Sequence, residues 1–397
     1  MWALPVGAQE SEDAVALRVE AAIELLWSGV LMGIEDQKAR AILAEGLELA
    51  ARGGDLRPRV LLLLCFASIH GTLGQLSEGM DELQEAFELG TQSEDPELRF
   101  TVHEEMVDRL QFTGRLPAAA ALGDAYVELG RALAPDTIVR RLPVAWSIAR
   151  RAWVWLEMGR LDAAADSLRE CDVRLRGRGQ TEPEAQTVIL LARHRVFIGD
   201  GPAAVSFAKR AADVAESTGS NLTRVWAHEY LGVALALNGE WRAAVEQLEF
   251  ALGIARETRA WLTLEAEILA YLAEALLGAG DAVRARRTAE EAIATARRRG
   301  TPVWEAQAQL VLARVLLARL GAQARDAIES ALGSCLSLIK QTEARVYEPH
   351  VHEVRADLAR LLGDEAAHDR ELREAHRLFS AMGATGHAAR MAGQLGS

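Results

Sequence analysis

The chain has 397 residues and a formal net charge of -13, from 44 basic and 57 acidic residues. Nucleic-acid binders carry a basic footprint, so this balance argues against direct contact with DNA or RNA. Half of the residues are hydrophobic but only 5% are aromatic, which favours helices over strands.

The first residues, "MWALPVGAQESEDA", lack the basic start and apolar run of a signal peptide. Residues 1–14 read as an N-terminal segment, and a cytoplasmic location is the expectation. From there one punctuation mark recurs. Gly33, Gly74, Gly114, Gly159, Gly199, Gly239, Gly280, Gly321 and Gly363 follow one another at gaps of 41, 40, 45, 40, 40, 41, 41 and 42. Glycine suits a helix C-terminus because it tolerates the left-handed conformation there. A fixed period of this size is the mark of a repeat array.

Between the glycines the chain reads as helix, turn, helix, then a short polar loop. The apolar run "VLLLLCFASI" (60–69) is too short to span a bilayer, so no membrane is expected. "HEEMVDRL" (103–110) begins like a zinc-protease helix, but Val107 stands where the second histidine belongs. Loops are expected at "TQSEDPE", "APDT", "RGRGQTEPE", "STGSN" and "RRRGTP". Cys65, Cys171 and Cys335 lie far apart and form no ligand or disulfide framework. The arginine-rich stretch 284–300 is interrupted by acids and reads as a solvated helix face. "HVH" (350–352) has no accompanying ligand set, so no metal and no cofactor are expected. His70, His194 and His228 fall inside helices without an adjacent nucleophile, which points to packing rather than catalysis. No enzymatic constellation is present, and a non-enzymatic protein is expected.

The columns sharpen the pattern. Eight residues before the glycine stand Leu25, Phe66, Met106, Leu191, Leu231 and Leu272. The next column is Ala67, Val107, Ala152, Ala192, Gly232, Ala273 and Ala356, mostly small residues. After the glycine, Gly79, Ala119, Ala164, Ala204, Ala244 and Ala285 stand five residues on, and Ala86, Cys171, Ala211, Ala251 and Ala292 seven further. Small residues at these spacings let two helix backbones approach. The Gly321 unit is displaced by one residue, and the Gly33 unit is displaced on its second helix.

These columns resemble the tetratricopeptide repeat. "YLGVALALNGEWRAAVEQLEFAL" carries its pattern at Leu231, Gly232, Gly239, Trp241, Ala244 and Ala251. The resemblance implies an all-α solenoid of about nine antiparallel helix pairs in a right-handed superhelix. The array is expected over 15–383, with a capping helix and tail at 384–397. The period of about 40, rather than the family's 34, and the ending "EAHRLFSAMGATGHAARMAGQL" (374–395) resemble the sensor region of bacterial signalling ATPases, LuxR-type or cyclase-linked. The chain carries no P-loop, cyclase domain or helix-turn-helix. It is therefore expected to be a detached sensor or a fragment, with ATPase or regulatory domains as fused or associated partners.

In such arrays the first helices line a concave face. Residues 13, 10, 6 and 3 before each glycine share one helix face by the 3.6-residue period. This predicts a central groove of Trp146, Trp153, Gln186, Arg193, Trp226 and Glu229, flanked by Glu104, Asp108, Glu267 and Glu274. Tryptophan and arginine are common interface anchors, although tryptophans also fill gaps between long helices. The acidic flanks suit a basic or mixed-charge peptide. The expected function is a protein- or peptide-binding scaffold in signalling or transcriptional regulation. The alternatives are a small-molecule inducer sensor and a passive assembly scaffold.

Overall fold

The structure is a computed structural model that describes residues 11–395 apart from 136, 140–141 and 177–181. Most of the expected N-terminal segment and the middle of the "RGRGQTEPE" loop thus lie outside the described residues. The helices pair in sequence: α1 (Glu12–Met32) with α2 (Asp36–Gly53), α3 (Leu56–Thr72) with α4 (Met80–Gln92), α5 (Pro96–Phe112) with α6 (Leu116–Ala132), and α7 (Trp146–Glu157) with α8 (Leu161–Leu175). Then come α9 (Glu182–Ile198) with α10 (Gly201–Thr218), α11 (Asn221–Leu237) with α12 (Trp241–Thr258), and α13 (Glu265–Gly278) with α14 (Ala282–Arg299). The last pairs are α15 (Pro302–Leu320) with α16 (Arg325–Thr342) and α17 (Glu348–Leu361) with α18 (Glu365–Met382), followed by α19 (Thr385–Leu395). Among the described residues the fold is an all-α solenoid of nine helix pairs and a terminal helix, as the period predicts.

The small columns work by close approach. A Cβ on Gly232 would stand 2.6 Å from Leu248 Cγ and 3.1 Å from the Ala244 carbonyl, so α11 and α12 meet almost backbone to backbone. Second helices bury one stripe, such as Ala285, Ala289, Ala292 and Ala296 on α14. First helices are covered on several sides. On α13 every residue from Glu265 to Ala273 is buried.

Departures from the period have local causes. The 45-residue gap holds a short hairpin of β1 (Ile138–Val139) and β2 (Leu142–Pro143). The Gly321 unit turns through a 3-10 segment, Gly321–Ala324, which accounts for its displaced register. Gly79 does not lie within a second helix. It precedes α4 in the left-handed conformation, φ 69°, and shortens that helix to 13 residues.

The array comes round on itself after five pairs. Each of the first four turn glycines abuts the pair five places later, and the fifth abuts the terminal helix α19. A Cβ on Gly33 would collide with the Thr258 carbonyl, on Gly74 with Arg299, and on Gly114 with Pro302 and Thr342. On Gly159 it would stand 3.0 Å from Met382 Sδ, and on Gly199 2.7 Å from the His387 nitrogen. Hydrogen bonds close the same seam. Arg299 Nη1 donates to the Leu73 carbonyl at 2.8 Å, His387 Nε2 to the Val196 carbonyl at 3.2 Å, and the Thr263 hydroxyl to the Gly71 carbonyl. The turn glycines of later pairs are open: a Cβ on Gly239, Gly280 or Gly363 would meet nothing within 4 Å.

This contrast is testable by thermal melts of two alanine variants. Gly280→Ala is expected to cost only the left-handed backbone penalty, about 1–2 kcal/mol. Gly199→Ala carries that penalty plus overpacking against α19, about 1–3 kcal/mol more. Equal losses in the two variants would contradict a closed seam.

Candidate functional site

Closure turns the concave face into a partly enclosed interior, and a wall of side chains divides that interior in two. The N-terminal chamber has a volume of about 120 Å³. Its lining includes Trp27, Phe100, Phe112, Trp146, Trp153, Trp226 and Trp261. Its carboxylates are Glu104, Glu105, Asp108 and Glu182, and its guanidiniums are Arg109 and Arg150. Both arginines are engaged. Arg109 donates to the carbonyls of Leu76, Ala67 and Glu78 at 2.7, 2.8 and 3.2 Å. Arg150 pairs with Asp108, donates to Gln111 Oε1 at 2.7 Å and lies 4.6 Å from the centre of the Trp153 ring. Burial brings Arg150 down to about 9. Glu104 accepts from the Trp146 indole at 3.1 Å, and Glu182 accepts from Thr223 and Ser220 at 2.6 and 2.7 Å.

The dividing wall is a stack of rings on a knot of charge. Trp153 and Trp226 stack with centroids 4.4 Å apart, and Trp261 stacks on Trp226 at 5.3 Å. Trp261 holds a left-handed backbone, φ 52°. That conformation is costly for a bulky residue, and here it places the ring in the stack. Behind the rings Arg193 pairs with Glu157, and its Nη1 lies 2.9 Å from Glu267 Oε1. Tyr230 donates to the same Glu267 oxygen at 3.2 Å. Glu229 sits beside this cluster with neither carboxylate oxygen hydrogen-bonded. Arg193, Glu229 and Glu267 have no solvent exposure.

One guanidinium thus faces three carboxylates in a dry wall. Burial, and then the neighbouring Glu267, push the Glu229 carboxyl well above the usual range. Burial also raises Glu267, to about 7, against the pull of Arg193. Glu229, the carboxyl without a hydrogen bond, is thus the one that burial and the neighbouring carboxylates disfavour most in its ionised form.

All ten residues of the predicted groove come from the inward faces of first helices. Trp146, Trp153, Gln186, Trp226, Glu104 and Asp108 line the N-terminal chamber. Glu274 lines a separate C-terminal chamber and pairs with Arg314. Arg193, Glu229 and Glu267 require a correction: they form the wall between the chambers, because closure covers a face that an open groove would leave in water. Residues outside the predicted set complete the site. Arg150, on α7, faces inward from a position the selected columns skip. Trp261 and Tyr347 precede their helices, where a helical column cannot find them.

The candidate metal positions are accounted for by ion pairs and hydrogen bonds. His350 faces Glu353, and His352 faces Glu371 at 2.7 Å. Among the described residues Asp36, His70 and Glu78 bring potential ligand atoms within 4.8 Å. Arg40 already bonds both of those carboxylates, at 2.9 and 3.0 Å, and supplies the balancing charge.

The charged wall predicts a pH dependence. A carboxyl raised in the folded state stabilises the fold fully below its unfolded value, and that contribution is lost as pH rises through the folded value. The groups facing Glu229 are Glu157, Arg193, Tyr230, Glu267 and Tyr271. Glu229→Gln is expected to flatten the fall in Tm between pH 5 and pH 8 and to raise Tm at pH 8. An unchanged slope in melts across that range would show that Glu229 does not titrate there.

No protein-family model matches the chain, and no curated protein is significantly similar in sequence. Solved structures do match. A Rap protein complexed with Competence and Sporulation Factor has TM-score 0.67 at 14% identity, over 94% of this chain and 99% of that one. NprR in complex with its cognate peptide NprX has TM-score 0.58 at 13% identity, over 91% and 99%. A signal-transduction ATPase with a tetratricopeptide repeat sensor, from Pyrococcus horikoshii, has TM-score 0.50 at 12% identity, over 94% of this chain and 66% of that one. At these identities the likeness is one of fold, and with the column pattern it makes this chain a tetratricopeptide-repeat-like helical solenoid.

Proposed function

We propose that the chain is a non-enzymatic regulatory module that binds a short peptide in its interior and seats a basic side chain of that peptide in the N-terminal chamber. The observation that carries this reading is the chamber lining. Seven aromatic rings surround the space, and its four carboxylates outnumber its two guanidiniums, one of which pairs with Asp108. Aromatic faces and carboxylates together favour a cation with an apolar stem. The fold supports the reading at a coarser level, since one structure of similar fold holds its cognate peptide and another the Competence and Sporulation Factor.

In this reading Trp146, Trp153 and Trp226 form the aromatic walls, and Glu104, Asp108 and Gln186 set the polar end. Glu274 lies in the other chamber and contributes only if the ligand reaches past the wall. The module acts either alone or as the sensor of a larger signalling ATPase, as in the Pyrococcus protein. Its partners are then the peptide and the regulatory domain it serves. A free organic amine is the second reading. It is favoured by the chamber volume of about 120 Å³, which suits one side chain better than a whole peptide.

Affinity selection from a random hexapeptide library tests the proposal. Lysine or arginine is expected to be enriched at one position. Trp146→Ala and Glu104→Gln are expected to weaken the selected peptide by about 10-fold or more, as for an interface anchor. Selected peptides without a basic residue, or full binding by both variants, would refute it. Thermal stabilisation by small amines but by no selected peptide would favour the second reading.

A further inference from the structure

We propose that the C-terminal chamber is a second and separate binding site, for a ligand with an apolar body and a carboxylate. Its volume, about 850 Å³, falls in the range of small-ligand pockets. It lies beyond the charged wall and shares none of its lining with the first chamber. The proposal therefore does not depend on the peptide reading above.

The walls are apolar, with Val233, Leu310, Val311 and Val346 among the lining residues. Three lining residues carry a buried polar atom without a hydrogen-bond partner: Gln307 at Oε1, and Tyr271 and Tyr347 at their hydroxyls. They are 3%, 8% and 4% exposed. Tyr271 stands toward Tyr230 and Tyr347 toward Glu157, but neither hydroxyl closes a well-formed hydrogen bond. Buried polar atoms in native proteins are almost always partnered. Phenols that can donate and an amide oxygen that accepts suit a ligand bearing both kinds of group.

Charge defines the other end. Glu353 is largely buried, which opposes its ionisation, yet His350, Arg390 and Arg314 hold its carboxyl down at about 2. Arg390 pairs with Glu353 there, and Arg314 pairs with Glu274 and reaches Glu353, so each guanidinium has a carboxylate partner and further N–H groups to offer. Two arginines of the chamber remain accessible there, Arg390 at 47% and Arg360 at 66% side-chain exposure. The Arg360–Asp357 pair is exposed and contributes little. These two guanidiniums can take an incoming carboxylate by charge-assisted hydrogen bonds. That carboxylate comes either from the C-terminus of a short apolar peptide or from a free fatty acid.

The test uses the full chain and two fluorescent probes of similar shape. 8-Anilinonaphthalene-1-sulfonate is an apolar anion, and N-phenyl-1-naphthylamine is its neutral counterpart. The anion is expected to bind saturably and more tightly than the neutral probe. Arg360→Gln with Arg390→Gln is expected to weaken the anion by about 10- to 100-fold, as loss of charge-assisted hydrogen bonds implies. The neutral probe and the circular dichroism spectrum are expected to stay unchanged. Trp146→Ala, in the other chamber, is expected to leave both probes unaffected. Displacement then identifies the source. Decanoate competing points to a fatty acid, whereas a Leu-Val-Leu-Ala-Leu peptide competing as the free acid but not as the amide points to a peptide terminus. Equal affinity for the two probes, an unchanged anion affinity in the double variant, loss of the anion in Trp146→Ala, or displacement by neither competitor would each overturn the proposal.

Discussion

Everything inside this molecule depends on how closely one turn of the solenoid lies on the next. The first five turn glycines have positive φ and also leave no room for a side chain, because the pair five places on, or for Gly199 the terminal helix α19, is packed against them. The later turn glycines meet only the first requirement, with Gly280 an example. The same residue type at the same column therefore does two jobs in one half of the chain and one in the other. In an open array the inward faces of the first helices line a wet groove. Here closure encloses those faces, and their polar residues must find partners inside the protein.

The dividing wall shows the consequence. Burying Arg193 is tolerable because Glu157 and Glu267 pair with it and the Tyr230 hydroxyl adds a hydrogen bond. Removing one partner from such a cluster typically costs about 3–5 kcal/mol, since it strands a charge. Glu229 is the third carboxylate beside a single guanidinium, and burial next to Glu267 raises its carboxyl well above the usual range. The rings serve the same end. Trp153, Trp226 and Trp261 form a continuous apolar screen, which keeps water of the N-terminal chamber from the charges behind. The left-handed backbone of Trp261 is offset by the contacts its ring makes in that screen.

The helix pairs, their register and the inward columns were legible in the sequence because they are local. A glycine turn, an alanine one helical turn later and a leucine on the facing helix lie within one repeat. Even the exceptions had a visible trace: the 45-residue gap marks the inserted hairpin, and the shifted Gly321 column marks the 3-10 turn. Closure was not legible, because it depends on small rotations that accumulate over five pairs. No single repeat records them. So Arg193, Glu229 and Glu267 could be placed on an inward face, but not in a wall. Trp261 was missed because it lies in a connecting segment, and Tyr347 because it lies in a 3-10 turn. Both owe their positions to contacts with residues far away in the chain, Trp153 and Phe197 among them.

The wall also ties the two chambers together physically. Trp153 and Trp226 face the first chamber, Tyr271 and Tyr347 face the second, and Arg193 with its carboxylates lies between them. A ligand shifts a protein between states only by binding one of them better. The wall is the boundary that the two chambers have in common, and its members hold one another: Arg193 pairs with Glu157 and Glu267, and Tyr230 bonds the same Glu267 oxygen. Buried polar groups that share partners in this way move together or not at all, so a difference in affinity between two states of either chamber has to be written in these side chains and not in the seam that holds the superhelix closed.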